Sequence, residues 1–159
     1  MKNKFLTQAA MIAALYVVLT YVANLLGLSS GAIQIRFSEA LTILPYFTPA
    51  AIPGLFVGCL LSNLLTGSVL LDVIGGSLIT LFAAFSTYAL RKYKYLAPLP
   101  AILGNTLGVP FILRYGYGMV SDSIPYMMLT VGIGEIISCG ILGMFLLSAL
   151  SKHRNMLFN

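Results

Sequence analysis

Four charged side chains stand inside or at the edge of long apolar runs of the sequence: Arg36, Glu39, Asp72 and Glu135. A charge in a bilayer costs about 2.5–3.5 kcal/mol on insertion scales, so such residues usually face a cavity or pair with each other. Arg36 and Glu39 are three residues apart, a spacing at which two side chains on one helix face can neutralise each other. They form either an ion pair that anchors a helix end or one wall of a polar cavity.

Both a structural and a ligand-binding interpretation are open for the acids Asp72 and Glu135 and for the amides Asn63 and Asn105. Glu135 lies in a glycine-rich run, residues 132–140, where small side chains leave space for a ligand. Asp72 stands at the start of a predicted helix, where the helix dipole stabilises an anion with or without a ligand. Polar groups in apolar helices also hydrogen-bond to neighbouring helices, so that alternative stays open for each of them. The candidate ligand-binding residues are Arg36, Glu39, Asn63, Asp72, Asn105 and Glu135.

Motifs of nucleotide hydrolysis and of zinc peptidases are missing from the sequence. There is no Gly-x-x-x-x-Gly-Lys-Ser/Thr run and no His-Glu-x-x-His. The one histidine, His153, lies in a basic tail, so the commonest general base is absent from the apolar runs. Cys59 and Cys139 are expected to be buried free thiols. We predict no enzyme, no cofactor, no metal and no nucleic-acid partner; catalysis through Glu135 or Asp72 is the disfavoured alternative.

The composition is that of an integral membrane protein. Of the 159 residues, 59% are hydrophobic and 8% are charged, whereas a soluble domain has about 25% charged residues. A spanning helix needs about 20 residues, so the length allows roughly six spans in a single domain. The sequence therefore predicts an all-α membrane protein of six transmembrane helices, with spans at residues 5–27, 36–47, 50–65, 69–90, 97–115 and 124–150.

The basic residues predict the orientation of these spans. Seven of the nine Lys and Arg residues fall on one side of a six-span arrangement, namely Lys2, Lys4, Arg91, Lys92, Lys94, Lys152 and Arg154. The positive-inside rule then places both termini in the cytoplasm. Counting 1.5 Å per residue from the helix ends, Arg36 lies near the outer surface, Glu39 about one turn in and Glu135 near the middle. These depths predict a polar cavity that opens outward and is closed toward the cytoplasm.

Small residues line the first predicted helix at helical spacing. Ala9, Ala10, Ala13 and Ala14 form two overlapping pairs of small residues four apart. Such pairs let the backbone of another helix approach closely, so they favour a helix–helix contact.

Five runs of the sequence together resemble a known transporter family: residues 13–20, 34–42, 44–63, 71–77 and 131–138. They are similar to the substrate-binding S components of energy-coupling-factor (ECF) vitamin transporters, and among these to the QueT-type transporters of queuosine precursors. The resemblance implies a capture subunit in the prokaryotic plasma membrane that binds a 7-deazaguanine-type base from outside. It also implies two ATPase subunits and a transmembrane coupling subunit, which docks on Ala9, Ala10, Ala13 and Ala14.

The chemistry of such a base suggests roles for the polar candidates. A guanine-like ring presents two adjacent donors beside a carbonyl, and one carboxylate can accept from both donors at once. As the deepest acid, Glu135 is predicted to take that edge, with Asn63 or Asn105 donating to the carbonyl. An aminomethyl group would add a cation for Asp72 or Glu39. The alternatives are an S component for another vitamin-like heterocycle and a small autonomous membrane carrier or channel.

Overall fold

The computed structural model describes residues 2–29 and 33–154, and within these ranges every regular element is helical. In chain order the elements are α1 (Lys2–Leu25), a 3₁₀ helix (Phe37–Tyr46), α2 (Ala51–Leu65), α3 (Leu70–Ala89), a short 3₁₀ turn (Lys94–Leu96), α4 (Leu99–Tyr115), α5 (Ile124–Glu135), a π-helical segment (Ile136–Leu142) and α6 (Gly143–Ser151). The last three follow each other without a break and form one helix, Ile124–Ser151, called here the last helix.

In the part of the chain that the structure describes, four helices are long and apolar enough to cross a membrane: Asn3–Leu25, Leu70–Ala89, Lys94–Tyr115 and Ile124–Ser151. Each coincides with a predicted span to within a few residues at either end. The chain is therefore a multi-pass, all-helical membrane protein, as the composition predicts.

The second and third predicted spans are shorter than a membrane crossing. The 3₁₀ helix has 10 residues and rises about 2.0 Å per residue, so it covers about 20 Å. Helix α2 has 15 residues and covers about 22 Å, against a hydrocarbon core of about 30 Å. The prediction of six full spans is thus only partly confirmed.

The 3₁₀ helix is the buried centre of the bundle. All residues from Ser38 to Pro45 are buried, and Leu41, Ile43 and Leu44 belong to the main hydrophobic core. Runs of 3₁₀ helix longer than three or four residues are uncommon because their hydrogen-bond geometry is poor. This long run is therefore held by packing on all sides rather than by local propensity.

The 3₁₀ helix starts deep in the bundle, which corrects the predicted depth of Arg36. The Arg36 amide donates to Ser138 Oγ at 3.2 Å, and Ser138 is near the middle of the 28-residue last helix. At its other end, the Tyr46 ring centroid is 6.0 Å from the guanidinium carbon of Arg154, close to the carboxyl end of the last helix. Thr48, just after the 3₁₀ helix, donates to Gln8 Oε1 near the start of α1 at 3.1 Å. The 3₁₀ helix thus occupies the half of the bundle that contains the start of α1 and the end of the last helix, and Arg36 lies at half depth rather than near the outer surface.

The small residues of α1 divide between two faces. A Cβ on Gly58 would lie 2.7 Å from Tyr16 Cβ, and one on Gly54 would lie 2.8 Å from the carbonyl oxygen of Ala9. The contact between α1 and α2 therefore needs glycine on the α2 side, and it buries Ala9 and Ala13 of α1.

The two remaining alanines, Ala10 and Ala14, are exposed. The prediction that all four alanines form one docking face is therefore wrong for Ala9 and Ala13, which pack against the chain's own α2. The prediction that both cysteines are buried free thiols is confirmed for Cys59 and Cys139.

Candidate ligand-binding site

A small cavity of about 30 Å³ lies at the centre of the bundle, and polar side chains line most of it. All six candidate residues line it: Arg36, Glu39, Asn63, Asp72, Asn105 and Glu135. They come from five parts of the chain. Arg36 and Glu39 lie at the start of the 3₁₀ helix, and the others lie one each on α2, α3, α4 and the last helix. Gln34, Cys59 and Thr80 complete the polar lining. We call this space the inner cavity.

A larger cavity of about 280 Å³ adjoins the inner one. The two share Val109 and four polar residues, Gln34, Arg36, Asn63 and Asp72, which form the neck between them. The larger space is also lined by residues near helix ends remote from both termini, including Asn24, Thr66 and Tyr117. We call it the outer cavity, since it leads away from the half of the bundle that contains the chain ends.

The neck is built by a short extended segment that leads into the 3₁₀ helix. Arg36 has extended dihedral angles, φ −114° and ψ 110°. The segment packs so closely against the last helix that a Cβ on Gly134 would overlap the carbonyl oxygen of Gln34. Irregular backbone at membrane depth is tolerated where it is buried in protein or lines a cavity. Gly134 is therefore the residue that lets this segment reach the cavity.

Glu39 is the best-satisfied acid of the inner cavity. Its Oε1 accepts a 2.5 Å hydrogen bond from the Tyr16 hydroxyl, and its Oε2 accepts a longer one, 3.4 Å, from Asn105 Nδ2. The predicted ion pair with Arg36 does not form, since no hydrogen bond or ion pair joins the two side chains in the described ranges. Arg36 precedes the helix in an extended conformation, so the two residues do not share a helix face.

Glu135 is nine-tenths buried but has a weaker set of donors. The Cys139 thiol donates to its carboxylate, at 3.1 Å from Oε2. Carboxylate oxygens of Glu135 and Glu39 and the sulfur of Cys139 lie within 4.8 Å of one another. Two carboxylates and a sulfur are possible zinc ligands. We call Glu39 and Glu135 the carboxylate pair, and the absence of a metal there stays a prediction of the sequence.

Asp72 stands at the neck and lines both cavities. Its Oδ2 accepts a 2.8 Å hydrogen bond from the Tyr117 hydroxyl, and its backbone carbonyl accepts from Asn63 Nδ2 at 3.2 Å. Burial raises the pKa of Tyr117 above its ordinary value, so the phenol stays protonated and remains a donor. Tyr117 belongs to the loop between α4 and α5, so this bond ties the loop to the wall of the outer cavity.

Arg36 is the donor-rich residue of the site. Its guanidinium lines both cavities, and within the described part of the chain it forms no hydrogen bond or ion pair. A guanidinium carries five N–H donors in a fixed planar arrangement and accepts none. Its donors are therefore available to a group that binds in either cavity.

Four residues important to this site were not among the sequence candidates: Tyr16, Gln34, Tyr117 and Cys139. Tyr16 lies one turn before Thr20 on α1, and this pair of polar groups on an apolar helix was the available signal. Gln34 is two residues before Arg36 in the sequence, but its role depends on the depth of the segment. Tyr117 and Cys139 resemble ordinary interfacial and core residues, so their contacts follow only from the packing.

The helical fold and its polar, half-depth cavity define a membrane protein with an internal candidate binding site. The Gly-x-Ser-x-Gly sequence at residues 27–31 does not have the strand–turn–helix context of a catalytic serine, because it follows helix α1 rather than a strand. The chain belongs to the QueT transporter family, whose sequence pattern matches residues 6–152.

One curated relative is the queuosine precursor transporter QueT of Lactococcus lactis subsp. cremoris (strain MG1363). It is 33% identical over 85 residues, which are 54% of this chain and 50% of the relative. The matched part thus covers about half the length of that relative. No solved structure matches the chain.

Proposed function

We propose that the chain is the substrate-capture subunit of an ATP-driven ECF importer in the prokaryotic plasma membrane, binding a queuosine precursor of the 7-deazaguanine type from outside. The observation that carries the proposal is the convergence of three of the chain's four acidic residues with Arg36 on one central cavity, in a member of the QueT transporter family. The relative from Lactococcus lactis, a queuosine precursor transporter by name, supports the substrate class. The missing P-loop supports an energy source in separate ATPase subunits.

The sizes of the two cavities favour the outer one as the site of the ring. A buried water needs about 10–15 Å³ of cavity on this measure, so the inner cavity of about 30 Å³ holds roughly two waters and excludes a bicyclic ring. The outer cavity of about 280 Å³ approaches the lower end of the range for ligand sites, about 300 Å³. The ring therefore binds in the outer cavity, and a substituent or one edge reaches the inner cavity through the neck.

With the ring in the outer cavity, the edge that carries its two adjacent donors has hydrogen-bond partners other than those predicted from the sequence. Asp72 lines both cavities and accepts the two adjacent ring donors, in place of Glu135, which lines only the inner cavity. A carboxylate has about four acceptor positions, so Asp72 can bind these donors and Tyr117 together. Arg36 donates to the ring carbonyl, because the amides of Asn63 and Asn105 already donate within the protein.

Calorimetry on the purified protein tests the substrate and the site together. The wild-type chain should bind 7-deazaguanine, and thiamin, biotin and riboflavin should not compete. Asp72→Asn replaces one acceptor with a donor and should weaken binding about tenfold or more, since hydrogen bonds to charged groups contribute about 1.5–3 kcal/mol. Asp122→Asn is the matched control, because Asp122 lines neither cavity.

Two results would contradict the proposal. Tight binding of another vitamin would reject the substrate class, and equal affinities for wild type, Asp72→Asn and Asp122→Asn would reject the site. Uptake into liposomes that contain this chain alone would reject the need for a coupling subunit and ATPases. Native mass spectrometry of the protein as isolated provides an independent identification of any ligand that co-purifies.

A further inference from the structure

An apolar groove runs between α1 and the last helix, in the half of the bundle that contains the start of α1 and the end of the last helix. Both helices pack against the 3₁₀ helix, and Leu41 and Leu44 of that element form the floor of the groove. The groove has a volume of about 280 Å³ and extends from Gln8 to Leu15 along α1, about 10 Å at the rise of an α-helix. We call it the lateral groove.

The lateral groove opens toward the lipid. Met11 and Leu15 on its α1 wall are 60% and 49% exposed, and α1 is one of the helices that can cross the membrane. Lipid tails are as apolar as leucine, so an acyl chain gains little hydrophobic free energy by entering an apolar groove. The groove walls therefore accept an acyl chain but do not select one lipid over another.

Both walls continue to a basic residue at the end of the groove nearest the membrane surface. Lys4 precedes Gln8 by four residues on α1, a spacing that puts two side chains on one helix face. Arg154 follows Leu150 of the opposite wall, also by four residues. Its guanidinium carbon is 6.0 Å from the ring centroid of Tyr46, the last residue of the 3₁₀ helix. The two cations thus stand at the same end of the groove, one on each wall.

These two cations have no acidic residue nearby to neutralise them. The sequence contains four acidic residues, and three of them line the inner cavity at half depth. The fourth, Asp122, belongs to the loop between α4 and α5, at the opposite end of the bundle. A phosphate group carries the complementary charge, and both Lys and Arg are common phosphate-binding residues.

We propose that the lateral groove binds one anionic phospholipid, whose acyl chain lies between α1 and the last helix and whose phosphate is bound by Lys4 and Arg154. A basic pocket between transmembrane helices is typical of sites for anionic head groups. In the orientation that the positive-inside rule predicts, the site faces the cytoplasmic leaflet, whose anionic lipids attract basic residues.

The lipid site is separate from the surfaces that the proposed function uses. None of the residues that line the lateral groove lines the inner or the outer cavity. At 3.6 residues per turn, Ala10 and Ala14 lie on the side of α1 opposite to Gln8, so a bound lipid leaves that docking face free. A result against the lipid site would therefore leave the proposed function intact.

The absence of tryptophan from the sequence allows a single fluorescent reporter to be placed in the groove. Leu15→Trp puts an indole at the end of the groove farther from the cations. Phe145→Trp, at similar depth on the last helix but outside the groove, is the matched control. Both replaced side chains are exposed, 49% and 77%, so both variants should fold. Each variant is reconstituted in phosphatidylcholine vesicles with phosphatidylglycerol or phosphatidylcholine that carries the same brominated, quenching acyl chains.

Quenching of Leu15→Trp should favour brominated phosphatidylglycerol by about tenfold or more in relative association constant, since each Lys or Arg near an anionic head group contributes about fivefold. The preference at Phe145→Trp should be clearly smaller. Adding Lys4→Gln and Arg154→Gln to Leu15→Trp should lower its preference to that of the control. Adding Lys92→Gln and Lys94→Gln instead removes two cations outside the groove and should leave the preference unchanged.

Three results would overturn the inference. Equal lipid preferences at Leu15→Trp and Phe145→Trp would show that the groove meets only ordinary bilayer lipid. Shielding of the Leu15→Trp indole from both brominated lipids would show another occupant, and gel filtration would identify a second copy of the chain. Native mass spectrometry of the wild-type protein from micelles with equal amounts of both lipids decides if Leu15→Trp does not fold. One retained phosphatidylglycerol is expected there, and equal retention of the two lipids is the third contrary result.

Discussion

The Tyr16 hydroxyl donates a 2.5 Å hydrogen bond to Glu39 Oε1, which joins the middle of α1 to the first turn of the 3₁₀ helix. A second bond, 2.9 Å from Thr20 Oγ1 to Ser38 Oγ, joins the same two elements one turn further along α1. The 3₁₀ helix is thus attached at half depth by polar contacts that α1 supplies. Since Glu39 belongs to the carboxylate pair, α1 positions the site as well as the fold.

Removing the Tyr16 hydroxyl should destabilise the protein. Tyr16→Phe leaves a buried carboxylate with the Asn105 amide as its remaining donor, and the expected loss is about 1.5–3 kcal/mol. Thermal unfolding in detergent micelles measures it. The matched control is Tyr21→Phe on the same helix, since the Tyr21 hydroxyl donates at 3.1 Å to Leu65 O at an exposed position. Equal unfolding temperatures for the two variants would show that the Tyr16 bond contributes nothing.

A single methyl group at position 134 should disrupt the neck of the site. Gly134→Ala places a Cβ against the Gln34 carbonyl, so either the extended segment or the last helix must move. We expect loss of ligand binding and a lower unfolding temperature. Gly140→Ala in the same helix is the control, because its nearest atoms would be 3.8 Å from the new Cβ, an ordinary contact. If both variants bind ligand like the wild type, the segment does not build the neck.

The two alanine faces of α1 should respond differently to a large side chain. Ala13 packs against Gly58, so Ala13→Trp should lower stability by opening the contact between α1 and α2. Ala14 is exposed, so Ala14→Trp should fold, bind ligand and fail to co-purify with the coupling subunit that the proposed function requires. Co-purification with a full complex and gel filtration of the isolated chain separate these outcomes. A stable complex with Ala14→Trp would remove this face from the docking surface.

The orientation of the chain remains a prediction of the positive-inside rule. A cysteine at Ser121, in the loop between α4 and α5, should react with a membrane-impermeant maleimide in intact cells. A cysteine at Lys94, in the basic connection between α3 and α4, should react only after the cells are opened. The native Cys59 and Cys139 are buried and contribute a low background. Labelling at Lys94 in intact cells would reverse the topology. A third test position, Ser30, lies outside the described residues.

The amino-acid sequence by itself determined the class of fold and the limits of its helices. Apolar runs of spanning length, separated by glycine, proline and basic residues, predict membrane helices because the cost of burying a polar residue in lipid is a local property of each segment. The same rule singled out Arg36, Glu39, Asp72 and Glu135, since a charge inside an apolar run is costly unless a cavity or a partner receives it. For this reason the structure brings together residues that are far apart in the chain.

Only the tertiary structure decided how deep these residues lie and which groups they contact. Counting residues from the helix ends assumes that each span starts at a membrane surface, and this assumption fails at Arg36, where an extended segment enters the bundle to half depth. The pairing of Glu39 with Tyr16, the proximity of Glu39 to Glu135 and the burial of Ala9 and Ala13 against α2 all depend on which helices are neighbours. Hydropathy specifies that a side chain must leave the lipid, whereas its partner is decided by the packing of elements distant in the chain.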